Sequence, residues 1–204
     1  PSWVDGSRTP GTAAPRAGWH RYWGTAEPIH PDFGLARGAP GMKSTRRIEG
    51  GLEIIEDESG ALQRRIIDSD NHYIMPEFVR YAVRDRASWE FWRHRMTPTD
   101  AMPPDELEAN ARRFDDRSEP LFVGIPGPYG FLRGLWGPEG LSYAFYDEPE
   151  LIHEMIEWRT EQTRQYALPL VERLRPDAVY MGEDLCYNHG MLLSPDLFRR
   201  YCAP

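Results

Sequence analysis

Two short stretches hold residue types suited to chemistry on an anionic ligand. The first runs Gly124-Ile125-Pro126-Gly127-Pro128-Tyr129-Gly130-Phe131-Leu132-Arg133-Gly134-Leu135-Trp136-Gly137. Its five glycines let a backbone approach a ligand closely. Tyr129, Phe131 and Trp136 offer flat apolar walls, and the Arg133 guanidinium offers a fork for a carboxylate. A tight turn with Arg133 solvated is the plainer alternative. The second stretch is Gly182-Glu183-Asp184-Leu185-Cys186-Tyr187-Asn188-His189-Gly190-Met191. Neighbouring carboxylates at a strand end point to opposite sides. Near an arginine such a group stays ionised; buried alone it rises in pKa and becomes a proton donor. His189 suits proton transfer near neutral pH. The alternative for Glu183 and Asp184 is a loop cap or a pair with a structural arginine. Cys186 and His189 form Cys-x-x-His, half of a zinc set, and a half-buried thiol accounts for it more simply.

These stretches need elements to hold them. Residues 1–47 read as loop-rich, with Trp3, Trp19, Tyr22, Trp23 and Phe33 covering a core. Residues 48–67 read as a β-hairpin, Leu52–Glu56 against Leu62–Ile67, with Asp57-Glu58-Ser59-Gly60 as its turn. Tyr73 to Tyr81 reads as an extended connection. A helix from Asp85 to Met96 buries Trp89, Trp92 and Met96, and a second follows Pro103-Pro104-Asp105 to about Phe114. Pro120–Ile125 fits a buried parallel strand. Leu141–Tyr146 reads as a short helix. Asp147 then caps a helix to about Leu174, with a kink expected at Pro169. Asp177–Met181 is the next strand, and Ser194-Pro195-Asp196 starts a helix that turns Leu197, Phe198 and Tyr201 inward. This βα order over residues 119–204 implies a parallel sheet, whose ligands bind at the carboxyl ends of the strands.

Composition narrows the classes. The 204 residues are 40% apolar and 27% charged, which suits a globular domain. A net charge of −8 argues against phosphate-driven nucleic-acid binding. No apolar run reaches membrane-spanning length, and the first residues lack a signal-peptide pattern. Cys186 and Cys202 form no disulfide framework, so reduced thiols and a cytoplasmic location are expected. Nucleotide P-loop, dinucleotide and Gly-x-Ser-x-Gly patterns do not occur. His153 in a first helical turn reads as solvated, and Glu53-Glu56-Asp57-Glu58 as a solvated hairpin surface.

Three segments together resemble the uroporphyrinogen decarboxylase superfamily, most clearly its uncharacterised bacterial branch, over residues 48–204. They are Gly127–Arg133 leading to Tyr146-Asp147-Glu148-Pro149-Glu150-Leu151, Met181-Gly182-Glu183-Asp184 leading to Leu192-Leu193-Ser194-Pro195-Asp196-Leu197-Phe198, and Met75-Pro76 leading through Val83-Arg84-Asp85-Arg86 to Trp89. The resemblance implies a (β/α)8 TIM barrel. Such a barrel takes roughly 250 residues, so the chain reads as part of one. It implies a carboxy-lyase that decarboxylates an anionic tetrapyrrole-like or poly-carboxylate substrate without a cofactor. Arg133 would bind a carboxylate, with Tyr129, Phe131, Trp136 and Tyr187 as walls. Asp184 would face a protonated ring, with Glu183, Asn188 and His189 as polar partners. The superfamily also contains zinc- and corrinoid-dependent methyltransferases, whose partner would be a corrinoid protein. A homodimer is compatible with either reading. The chain departs from the decarboxylases in lacking Met-Arg-Gln-Ala-Gly-Arg and in placing Gly134 where they carry a loop tyrosine, with Tyr129 and Tyr143 nearby. A non-catalytic small-acid binding protein is the alternative outside enzymes.

Overall fold

The computed structural model describes residues 22–30, 43–57, 59–67, 76–96 and 104–203. The expectations for Trp3, Trp19, Phe33 and Tyr73 fall outside them. The described chain is mixed α/β. No helix among the described residues is long and apolar enough to cross a membrane.

The expected hairpin is the centre of a four-stranded antiparallel meander. Its strands are β1 (Thr45–Glu49), β2 (Leu52–Glu56), β3 (Leu62–Ile66) and β4 (Glu77–Arg80). Glu49 pairs with Leu52, so Gly50 and Gly51 form a two-residue turn. Both have positive φ, 57° and 79°, as the turn that matches strand twist requires. Asp57 closes the next turn: its Oδ1 accepts from the Ser59 and Ala61 amides at 2.9 and 3.1 Å. Glu53 corrects the solvated reading of the acidic cluster. It is only 5% exposed, held between the Arg46 and Arg65 side chains of the flanking strands. A carboxylate tolerates such burial because paired cations replace its water.

Two long helices link the parallel pair β5 (Phe122–Pro126) and β6 (Ala178–Gly182), which align Phe122 with Ala178 and Pro126 with Gly182. At the other edge of β5, Ile29 forms a parallel bridge to Leu121: its amide donates to the Pro120 carbonyl at 2.8 Å. Before the pair lie α1 (Arg86–Met96) and α2 (Pro104–Arg112).

The glycine-rich stretch expected as a loop is instead the first half of α3 (Pro128–Asp147). Pro128 occupies the first turn, where its missing N–H costs nothing. Gly130 and Gly134 weaken a helix by about 1 kcal/mol each relative to alanine. Burial of Tyr129, Leu132, Leu135 and Trp136 at helical spacing offsets this. The helix breaks at Gly137, at φ 74° and ψ 161°, immediately before Pro138.

Helix α4 (Pro149–Leu174) starts after Glu148, not Asp147, which still belongs to α3. The kink expected at Pro169 does not divide it; Pro169 lies inside one continuous helix. Trp89, Leu151, Ile152 and Met155 are fully enclosed where α1, α3 and α4 meet. Each such side chain contributes about 1.5–3 kcal/mol through burial. A second cluster joins Ala111, Leu121, Val123, Leu170 and Leu174. The last elements are a small hairpin, β7 (Cys186–Tyr187) with β8 (Gly190–Met191), and α5 (Pro195–Tyr201). Ser194 caps α5 as expected, its hydroxyl accepting from the Leu197 amide at 3.2 Å. His153 is half-buried rather than solvated, its ring 4.7 Å from that of Tyr201.

Candidate functional site

Strands β5 and β6 run parallel in register, so the residues after Pro126 and Gly182 emerge at one end. The chain after β5 turns at Gly127 into α3, and the chain after β6 carries Glu183 and Asp184. The two segments meet there. Arg133 donates from Nη2 to Asp184 Oδ2 at 2.7 Å. The Arg133 side chain is 32% exposed and that of Asp184 77%, so the carboxylate lies on the solvent side of the pair.

Glu183 turns the other way, towards the start of α3. Its Oε1 accepts from the Tyr129 amide at 2.9 Å and its Oε2 from the Gly130 amide at 2.6 Å. Those are two of the amides that a helix leaves unpaired at its N-terminus. Burial pushes the Glu183 carboxyl above its ordinary range; the Gly130 and Tyr129 amides, and then the Arg133 charge, pull against that rise. The half-buried Cys202 thiol rises to about 11, through burial first and the charge of Glu183 second.

The expected walls divide. Tyr129 is buried beside the site, with the Arg133 guanidinium carbon 6.0 Å from its ring centre. Phe131 packs among Trp89, Trp92 and Trp158, and Trp136 donates to Met155 Sδ at 3.2 Å inside the core. Both are core residues rather than walls. The reason is the helix: residues 129 and 133 share a face of α3, whereas 131 points away from it. Tyr187 and His189 lie on the β7–β8 hairpin, exposed, with ring centres 5.7 Å apart, and Asn188 is exposed at its tip. Among the described residues no hydrogen bond or ion pair ties Asn188 or His189 to Arg133 or Asp184. Cys186 is also exposed on this hairpin, and no group of three metal-ligating side chains occurs among the described residues.

The sequence reading missed Tyr81. Its ring covers Gly137, where an added Cβ would lie 2.2 Å from Cε2. Burial raises its phenol, and the nearby Arg133 charge opposes the rise. Tyr81 therefore packs over the residue at which α3 breaks, near enough to Arg133 to feel its charge. A tyrosine brought in from 52 positions away in the chain leaves no local signal at Arg133.

The arrangement is one cation fixed on a helix, one exposed carboxylate paired with it, and two phenols beside them. It suits a ligand that carries a carboxylate and a group able to become cationic. No protein-family model matches the chain, and neither characterised proteins nor solved structures include a match.

Proposed function

We propose that the protein is a carboxy-lyase of the uroporphyrinogen decarboxylase type, acting on an anionic tetrapyrrole-like or poly-carboxylate substrate at the strand ends of a (β/α)8 barrel. The observation that carries this reading is the meeting of Arg133 and Asp184 at the carboxyl ends of parallel β5 and β6. Ligands of parallel α/β folds bind at that end.

In this reading Arg133 receives a substrate carboxylate, and Asp184 faces the ring that bears the reacting arm. Protonation of that ring makes a cation, and the Asp184 carboxylate stabilises it. The bond between the arm's methylene and its carboxylate breaks. Carbon dioxide leaves, and the bonding pair flows into the cationic ring. A proton then adds to the methylene carbon, and the ring proton is released. The exposure of Asp184 favours this role, because one partner leaves its remaining lone pairs open to a ligand.

The test is turnover. With uroporphyrinogen we expect carbon dioxide release, and we expect Asp184→Asn to lower kcat by about a hundredfold or more, the scale of removing one charge-stabilising group. No release from any poly-carboxylate pyrrole, together with unchanged behaviour of Asp184→Asn, would exclude the reading.

A further inference from the structure

Glu183 is held unlike any other acid of the site. Both of its oxygens accept backbone amides from the first turn of α3, at 2.9 and 2.6 Å. The chain is shaped to admit it. A Cβ at Gly127 would lie 1.9 Å from Oε1, and one at Gly130 would lie 3.0 Å from Oε2. Alanine at 127 and this carboxylate cannot share the space. Arg133 follows one turn later on α3, and Asp184 is the next residue after Glu183. One side chain therefore fixes both members of the Arg133–Asp184 pair relative to each other.

We infer that Glu183 is a positioning residue, which clasps the end of β6 to the first turn of α3 through the space left by Gly127 and so sets Arg133 against Asp184. Direct work on substrate, the role expected for Glu183 from the resemblance, gives way to this one: its oxygens are already engaged by Tyr129 and Gly130. The inference rests on reading Arg133 and Asp184 as the ligand-facing pair. A clasp to helix amides is a rigid device, since charge-assisted hydrogen bonds are short and directional. Arg133 and Asp184, both partly in water, would otherwise exchange partners freely.

The experiment observes the pair directly, without a substrate. In protein labelled with 15N-arginine, the Arg133 Nη signals, assigned by their loss in Arg133→Gln, report whether the guanidinium is held or rotates freely. Amide exchange at Tyr129 and Gly130 reports the clasp. We expect held Arg133 signals in the parent protein and averaged ones in Asp184→Asn, Glu183→Ala and Gly127→Ala. Exchange at the two amides should quicken by about tenfold or more in Glu183→Ala, the scale of one hydrogen bond to a charged group. Added formate should restore the held signals in Glu183→Ala, where it fills the vacated space, but not in Gly127→Ala, where a methyl group occupies it. Glu183→Ala that keeps held Arg133 signals overturns the inference, as does averaging already present in the parent protein. Failure of the anion-site reading looks different: Arg133→Gln binds uroporphyrin as well as the parent does, while the Nη signals still behave as described.

Discussion

The Arg133 guanidinium and the Asp184 carboxylate lie 2.7 Å apart although 51 positions separate them in the chain. Strands β5 and β6 end together; Asp184 closely follows β6, and Arg133 lies in the helix that follows β5. The pair is the meeting point of the fold's one described parallel βαβ unit and its candidate chemistry. Because both partners touch water, it adds only about 0–1 kcal/mol to stability.

Gly137→Ala should destabilise strongly. Any side chain there is strained at φ 74°, and its Cβ would meet the Tyr81 ring at 2.2 Å. A Gly-only backbone region costs about 1–3 kcal/mol on its own, and displacement of Tyr81 adds to it. Urea titration measures the loss. A variant as stable as its parent would show that Tyr81 does not cover this break.

Acid should weaken the contact of α2 with α4. Arg173 donates to Glu108 at 2.7 and 2.9 Å and to Asp115 at 3.1 and 3.3 Å. Hydrogen bonds from Arg173, then from Arg112, lower the Glu108 carboxyl from 4.5 to about 2. Asp115 is lowered too, chiefly by Arg173. A depressed carboxyl stabilises the fold above its unfolded pKa, and that contribution fades as pH falls through its folded one. Melting temperature should therefore drop between about pH 4.5 and 2, and Arg173→Ala should flatten that drop. An equal slope in both proteins would remove this cluster from the account.

The two cysteines should label at different rates. Cys186 is exposed on the β7–β8 hairpin, whereas the Cys202 thiol, raised to about 11, is almost wholly protonated at pH 8. Since the thiolate is the nucleophile, iodoacetamide at pH 8 should modify Cys186 first and Cys202 at least about tenfold more slowly. Peptide mapping over time decides this. Equal rates would mean that Cys202 is not enclosed beside Glu183.

Ser194→Ala should cost about 1 kcal/mol, because the Leu197 amide loses its cap. Thermal unfolding of the variant measures it, and an unchanged melting temperature would deny the cap its role.

Much of this arrangement is legible in residue order, and its gaps have physical causes. Ser194-Pro195-Asp196 announces α5 because a cap acts within four residues. The strand-like runs Leu52–Glu56 and Leu62–Ile67 and the turn at Asp57 between them announce β2 and β3. The Gly50-Gly51 pair also signals a hairpin, but β1 is exposed along its whole length and lacks the apolar alternation that marks a strand. Glu53 looks like surface because the arginines that cover it belong to neighbouring strands. The largest misreading concerns residues 128–136, where glycines suggest a loop and tertiary burial enforces a helix. That error also misplaced Phe131 and Trp136, since loop residues carry no facing rule while helical ones do. The convergence of Arg133 with Asp184 survives the error, because it depends on strand direction and not on whether loop or helix succeeds the strand.

The central claim is that Arg133, set beside Asp184, binds a carboxylate of the substrate. Fluorescence titration of uroporphyrin into the parent protein and into Arg133→Gln measures this most directly. Loss of hydrogen bonds to a charged group predicts a Kd raised by about ten- to a hundredfold, with the fold intact. An equal Kd in the two proteins would contradict the claim.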